Sequence, residues 1–301
     1  MSGWVLQARK RISRLSLIWL TTLLRLFSLL VPYRLGVLAG GALGFIAYYL
    51  RPRERKRALS HLISVFGEKD GRWIHLTARR CFVHLGKALL EVMLMTPRRL
   101  SQVVDFPGES EKNLRSAMKL GKGAVYVTGH IGNWELMGNA VATRYPLSVV
   151  AAPIEPEQVN DMIVSLRAGM GIRTILRGRT GASRELIRIF KEHRILGILI
   201  DQDTDVDGTF VDFMGKPAWT PTAAAAMAIK FGAPLIFGYI KREADNRHTV
   251  HLEGPLDLIS TGDREQDIIA NTAMLTKKIE DVIRNNPEQW VWMHRRWRRQ
   301  P

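Results

Sequence analysis

The sequence predicts an α/β domain, a mixed, largely parallel sheet flanked by helices, with an N-terminal apolar helical membrane anchor. Three observations lead there. From residue 123 onward, short apolar runs alternate with helical patterns of roughly 10–14 residues, the rhythm of strands joined by crossover helices. Residues 15–50 hold two apolar stretches with arginine and lysine on both sides. Charge is also unevenly spread. Residues 1–60 carry eleven Lys/Arg against one acid, Glu54, a net +10 out of the chain's +16, which leaves +6 for the other 241 residues.

A chain of 301 residues that is 46% hydrophobic has ample material for a core, which excludes a disordered or small disulfide-stapled protein. The single cysteine, Cys81, excludes an intramolecular disulfide and any multi-cysteine metal site. The positive charge points to an anionic partner. It clusters beside apolar sequence, and no nucleic-acid motif is present, so nucleic acid is not expected.

The first apolar stretch, Leu15 to Val31, is interrupted by Arg25 and broken by Pro32. The second, Leu35 to Leu50, is uncharged but 16 residues long, short of the about 20 that a spanning helix needs. A tilted span, an interfacial hairpin and a buried hairpin all fit this pattern. Membrane association is the expectation, and the basic residues at 9–14 and 51–57 place both ends on the cytoplasmic face. The expected division is an anchoring segment over 1–57 and a folded domain over 58–301.

Apolar residues three and four apart predict helices from Ala58 until Pro97 stops the run. Strands follow at 123–129, 147–153, 173–176, 195–201 and 233–242, with an antiparallel-looking strand at 248–256. Helices are expected at 133–144, 157–170, 183–192, 222–231 and 264–285.

The chemistry gathers at Thr128-Gly129-His130-Ile131-Gly132-Asn133-Trp134-Glu135. His130 follows a buried strand, where catalytic groups of open α/β sheets collect. Glu135, five residues on at a helix start, is expected to hold one ring nitrogen while the other takes a proton from a hydroxyl. Gly129 and Gly132 are expected to bring backbone N–H groups close to an oxyanion at the helix N-terminus. A histidine merely capping the helix is the structural alternative. Arg167, Arg177, Arg179 and Arg242 could meet phosphates or form a solvated basic face. Asp203-x-Asp205-x-Asp207-Gly208 copies half a calcium loop, but Met214 stands where a bidentate Glu is needed, so no metal is expected. Trp290 to Arg299 interleave three tryptophans with four arginines, which suits a lipid headgroup layer or a terminus packed on the domain.

Gly129-His130-Ile131-Gly132-Asn133-Trp134-Glu135 resembles the H-x4-D/E signature of the lysophospholipid acyltransferase superfamily, in the form found in lipid A biosynthesis (lauroyl/myristoyl-type) acyltransferases. Asp201-Gln202, Val211 to Ala218 with Thr220, and Pro287 to Trp297 resemble further elements of that family in the same order, with Met214 replacing an aromatic. The resemblance implies transfer of a fatty acyl chain from an acyl-carrier-protein thioester to a hydroxyl of a phosphorylated glycolipid, a lipid A precursor. It places the enzyme at the cytoplasmic face of the bacterial inner membrane, with no cofactor. It makes His130 and Glu135 catalytic, and Gly132, Asn133, Arg167, Asp201 and Arg242 substrate-binding. The alternatives are an acyl-CoA-dependent acyltransferase acting on another phospholipid or glycolipid, and a non-catalytic membrane-binding protein.

Overall fold

The computed structural model describes residues 31–301. The apolar stretch expected from Leu15 and the basic cluster at 9–14 lie outside the described residues. Four helices come first: α1 (Tyr33–Leu50), α2 (Pro52–Val65), α3 (Gly71–Leu94) and α4 (Pro97–Val103). Pro52 and Pro97 open α2 and α4 at the position where a missing N–H removes no helical hydrogen bond. Asp70 caps α3 by accepting from the Trp73 N–H at 2.7 Å.

A short strand β1 (Val104–Asp105) and helix α5 (Gly108–Met118) lead into the alternation: β2 (Ala124–Thr128), α6 (Trp134–Ala142), β3 (Leu147–Ala151), α7 (Glu157–Gly169), β4 (Arg173–Leu176), α8 (Ala182–Lys191) and β5 (Ile195–Leu199). Then come β6 (Gly208–Phe213), β7 (Lys216–Pro221), α9 (Ala223–Phe231), β8 (Leu235–Arg242), β9 (His248–Leu256) and α10 (Arg264–Asn285), and a 3-10 turn at Pro287–Gln289.

Seven strands form one sheet in the order β1-β9-β8-β2-β5-β3-β4. All neighbours are parallel except β8 and β9, so the mixed, largely parallel sheet expected from the sequence is present. Side chains alternate across each strand, and the central strands therefore feed two cores. Val125 and Val127 of β2, with Leu196 and Ile198 of β5, pack under α8, α9, α10 and the C-terminal segment. Ala124 and Tyr126 of β2, with Ile195 and Ile236, pack against α5 and α6 on the other face. Burial on both faces explains why β2 and β5 read as continuous apolar runs rather than alternating ones.

Helix α5 and the β6–β7 hairpin were not legible as periodic elements. The hairpin turns on Met214 and Gly215, both at positive φ (60° and 78°), between the paired residues Phe213 and Lys216. That is the two-residue geometry that suits a twisted hairpin, and methionine is not a residue that announces it.

Helix α1 is amphipathic with an inverted logic. Its buried side is a row of small residues, Gly36, Gly40, Gly41 and Gly44, and its outward side carries Leu35, Leu38, Leu43, Ile46 and Leu50, all exposed. The glycine row lets α1 lie against the backbone of α3. A Cβ built on Gly44 would fall 2.2 Å from the Phe82 carbonyl oxygen, and one on Gly40 would fall 2.5 Å from that of Gly86. α1 therefore meets the domain along one side and presents an apolar face on the other. Gly44→Ala is expected to lower stability by about 1–3 kcal/mol, because backbone rather than a movable side chain must shift. Gly71→Ala, with nothing near the added carbon, should be neutral or slightly stabilising. Chemical denaturation of the two variants checks this, and equal stabilities would remove the close helix contact.

Candidate active site

Strands β2 and β5 are adjacent, parallel and in register, with Thr128 opposite Leu199 at their ends. His130 and Asp201 each stand two residues beyond those paired ends, so the sheet delivers them side by side. The His130 ring Nδ1 lies 2.7 Å from Asp201 Oδ1, and the His130 backbone N–H donates to Asp201 Oδ2, also at 2.7 Å. The Trp290 indole N–H donates to the same Oδ2 at 2.7 Å. Gly129 makes room for the carboxylate, since a Cβ there would stand 2.9 Å from Asp201 Oδ2. Burial alone would push the Asp201 carboxyl up. The His130 ring, its backbone N–H and the Trp290 indole outweigh that and hold it down at about 2. Asp201 is thus an ionised, fully buried acceptor, which fixes the proton of His130 on Nδ1 and leaves Nε2 as a base. The His130 side chain keeps 22% of its surface open, and the Trp134 ring stands edge-on to it at 4.9 Å.

Glu135, expected to orient His130, is engaged elsewhere. Its carboxylate takes a two-pronged grip from Arg167 on α7, with Nε at 2.9 Å and Nη2 at 2.5 Å. Among the described residues no hydrogen bond joins Glu135 to His130. The reason is geometric: Glu135 lies in the first turn of α6 and points to α7, while the strand beside β2 already supplies a carboxylate. Asp201, read from the sequence as substrate-binding, takes that place. Arg167 is held by Glu135, and both side chains are partly exposed.

Three other expected site residues make structural contacts within the chain. Gly132 sits at φ 62° with Ile240 O 1.8 Å from where a Cβ would be, and its N–H donates to Gln289 O at 2.9 Å. That amide is therefore committed and does not face an oxyanion. Asn133 caps α6 by accepting from the Leu136 N–H, and its amide donates to Glu91 at 2.9 Å. Arg242 is buried, with Nη1 and Nη2 on the Glu91 carboxylate at 2.5 and 2.7 Å. Glu91, on α3 and fully buried, also accepts from Tyr33 at 2.8 Å and lies 3.1 Å from His248 Nε2. Burial would raise its carboxyl, but His248 and Arg242 hold it well below the ordinary carboxylate range. Glu91 was not singled out from the sequence, where it is one acid in a helical run. Its only signal is a charge on a face otherwise occupied by Ala88 and Leu94. Glu91→Ala leaves the Arg242 guanidinium buried without a counter-charge and is expected to cost about 3–5 kcal/mol. Denaturant titration checks this. A fully stable variant with weakened catalysis would return Arg242 to the substrate.

The acidic run after β5 is answered by the C-terminus. Asp203 accepts from the Arg299 backbone N–H at 2.8 Å and from Arg298 at 3.2 Å, and Asp205 pairs with Arg299 at 2.6 Å. Arg177 reaches Thr204 at 3.5 Å. Trp290 and Trp292 are core residues, and the buried Arg296 donates to Thr220 and Trp219 beneath the Phe213 ring. Of the two readings of the terminus, packing on the domain is the one observed.

Two histidines around this frame are held neutral by burial. His84, beside Arg242 Nε at 3.3 Å, is pushed down to about 3 by burial and then by that guanidinium. His294 is pushed down to about 4, chiefly by burial. In the unfolded chain both take up protons as the pH falls through about 6.5. Folding stability is then undiminished above that value and declines below it until the folded pKa is reached. The slope attributable to His84 is about 1.4 kcal/mol per pH unit. Stability measured from about pH 7 to about pH 5 should fall, and His84→Gln should flatten the fall. A pH-independent wild type would refute the neutral burial.

The chain matches the model of the bacterial lipid A biosynthesis acyltransferase family over residues 6–299. It is similar to a phosphatidylinositol mannoside acyltransferase of Mycolicibacterium smegmatis, 28% identical over 190 residues that cover 62% of this chain and 60% of that protein. A phosphatidylinositol mannoside acyltransferase of Mycobacterium tuberculosis is 24% identical over 206 residues, 67% of this chain and 63% of that protein. The lipid A biosynthesis palmitoleoyltransferase of Escherichia coli is 24% identical over 280 residues, covering 90% of this chain and 87% of that protein. The match thus spans less than two thirds of the mycobacterial relatives' length and most of the Escherichia coli protein.

Proposed function

Because the chain belongs to the bacterial lipid A biosynthesis acyltransferase family, we propose that it moves a fatty acyl group from an acyl-carrier-protein thioester to a hydroxyl of a phosphorylated lipid A precursor. The observation that carries this reading is the in-register placement of His130 on Asp201, with part of the His130 side chain open. Nε2 accepts the proton of the acceptor hydroxyl as its oxygen attacks the thioester carbonyl carbon. The tetrahedral intermediate collapses, the carbon–sulfur bond breaks, and the imidazolium returns the proton to the departing thiolate. Asp201 stabilises the imidazolium without taking its proton. A thioester is already activated, so the step needs no cofactor. Glu135 and Arg167 position the acceptor, with the guanidinium N–H groups not engaged by Glu135 offered to a phosphate.

Placement at the cytoplasmic face of the inner membrane, with residues 1–57 as anchoring segment, is part of the same reading. The outward apolar face of α1 supports it, and so does the basic flank at 51–57. The similarity to phosphatidylinositol mannoside acyltransferases favours one second reading, acylation of a different phosphate-bearing glycolipid, with acyl-CoA as the alternative donor.

Mass spectrometry of lipids from cells lacking the gene, complemented with wild type, His130→Ala or Asp201→Asn, tests both readings. Loss of one acyl chain from lipid A, restored by wild type alone, is the expected result. Intact lipid A with an altered glycolipid moves the acceptor, and no lipid change sinks the enzyme assignment. In purified form, His130→Ala and Asp201→Asn should each lower kcat by about 10²–10⁴-fold. Glu135→Gln should act mainly on KM and lower kcat far less than Asp201→Asn. A larger fall of kcat in Glu135→Gln than in Asp201→Asn would reverse the assignment.

A further inference from the structure

A second basic site lies apart from His130. A cavity of about 940 Å³ opens between α1, α3 and the β8–β9 hairpin, and His130 does not line it. Arg79, Arg80, Lys87 and Lys241 line it together with Phe45. The wall towards the candidate active site is the segment around Gln289, whose carbonyl accepts from Gly132 N–H and whose side chain holds the Arg242 backbone.

The cations of this basin are unequally committed. Arg242, which also lines it, is neutralised by Glu91, and Lys241 pairs with Glu243 at 3.1 Å. Lys87 donates to the neutral Asn246 side chain at 2.8 Å, and the Arg79 guanidinium lies 5.7 Å from the centre of the Phe45 ring. Arg80 makes no hydrogen bond or ion pair among the described residues and is exposed. Burial, and then the neighbouring Arg242, lowers the Lys87 ammonium pKa, so the basin disfavours further positive charge and an anion there would relieve it. Glu288 is the one remaining lining acid besides Glu243, so Arg79, Arg80 and Lys87 stand in excess.

The apolar surroundings select the anion. Phe45, 43% exposed, lines the basin and also belongs to the outward face of α1 with Ile46 and Tyr49. A surface that offers hydrocarbon-facing side chains and, beside them, a pocket of cations fits a lipid whose acyl chains and phosphate lie in that same order. We infer that the Arg79–Arg80–Lys87 basin binds the phosphodiester headgroup of an anionic membrane phospholipid, a site separate from the His130 centre that fixes how the domain sits on the bilayer. The inference rests on the membrane placement of α1 and is independent of acyl transfer.

The test uses the full chain and vesicles of phosphatidylcholine, with and without phosphatidylglycerol. Arg79→Gln/Arg80→Gln/Lys87→Gln is compared with Lys112→Gln/Arg115→Gln/Lys119→Gln, which removes equal charge around α5. The basin variant should lose the preference for phosphatidylglycerol by about fivefold per cation removed, while binding to phosphatidylcholine alone and the melting temperature stay as in wild type. The α5 variant should keep the preference. If both variants lose it equally, diffuse charge explains binding and the site is refuted; an unchanged basin variant refutes it as well. Competition by inorganic phosphate matching that of glycerophosphoglycerol would assign the basin to a soluble anion instead and overturn the lipid. Should the triple variant melt early, Arg80→Gln alone, at an exposed and unbonded residue, should still lose about fivefold. Detergent-solubilised acyl transfer by the basin variant should be unchanged, so a failure here is separable from a failure of the enzymatic reading.

Discussion

One buried carboxylate organises the candidate active site of this domain. Asp201 receives the His130 ring, the His130 backbone N–H and the Trp290 indole at the same time. Those three donors come from the end of β2 and from the C-terminal segment, while the acceptor comes from the end of β5. An ionised carboxylate so deep in the protein is stable only while its donors are in place. The positions of the two strand ends, the terminus and the histidine are therefore tied to a single charge. Because Gly129 admits the carboxylate to hydrogen-bonding distance, the requirement for a small residue there follows from the same contact.

A second buried carboxylate performs the mechanical counterpart. Glu91 gathers Tyr33 from α1's first turn, Asn133 from the cap of α6, Arg242 from β8 and His248 from β9. Through Asn133 it fixes the start of the helix that follows His130, so the site depends on both anions. The two differ in what remains open. Every donor around Glu91 is buried or partly buried, whereas the ring on Asp201 keeps a face towards solvent. That asymmetry separates a residue able to exchange a proton with a ligand from one that holds helices to a sheet.

The apolar exterior of α1 and the glycine interior of the same helix express one compromise. Docking through backbone contacts with α3 spends the small residues inward and leaves the large ones outward. A solvated helix would reverse that arrangement, since exposed leucines contribute nothing to folding in water. The C-terminal segment takes the opposite course. Its tryptophans are turned inward against Phe66 and Phe213, and its last arginines are tied to Asp203 and Asp205. Exposed large apolar residues are thus gathered on α1, whereas Trp290 and Trp292 of the aromatic terminus are buried.

The amino-acid sequence by itself determined the α/β class, the order along the chain of β2 to β5, β8 and β9, and the place of His130 beyond a strand. Each of these follows from local periodicity, strand-end chemistry and turn residues, which act within a few residues of themselves. It also placed an apolar stretch at Leu35 to Leu50, but did not decide which side of the helix there is free. Only the tertiary structure decided that Asp201, not Glu135, holds His130. Strand order across the sheet is a non-local property, and the pairing of β2 with β5 brings together residues 71 positions apart. The same holds for Arg242 and Asn133: only the folded chain pairs their side chains with Glu91, more than 40 residues away from either. Charges far apart in sequence cancel only once the chain has folded, and that cancellation decides which polar residues remain free for chemistry.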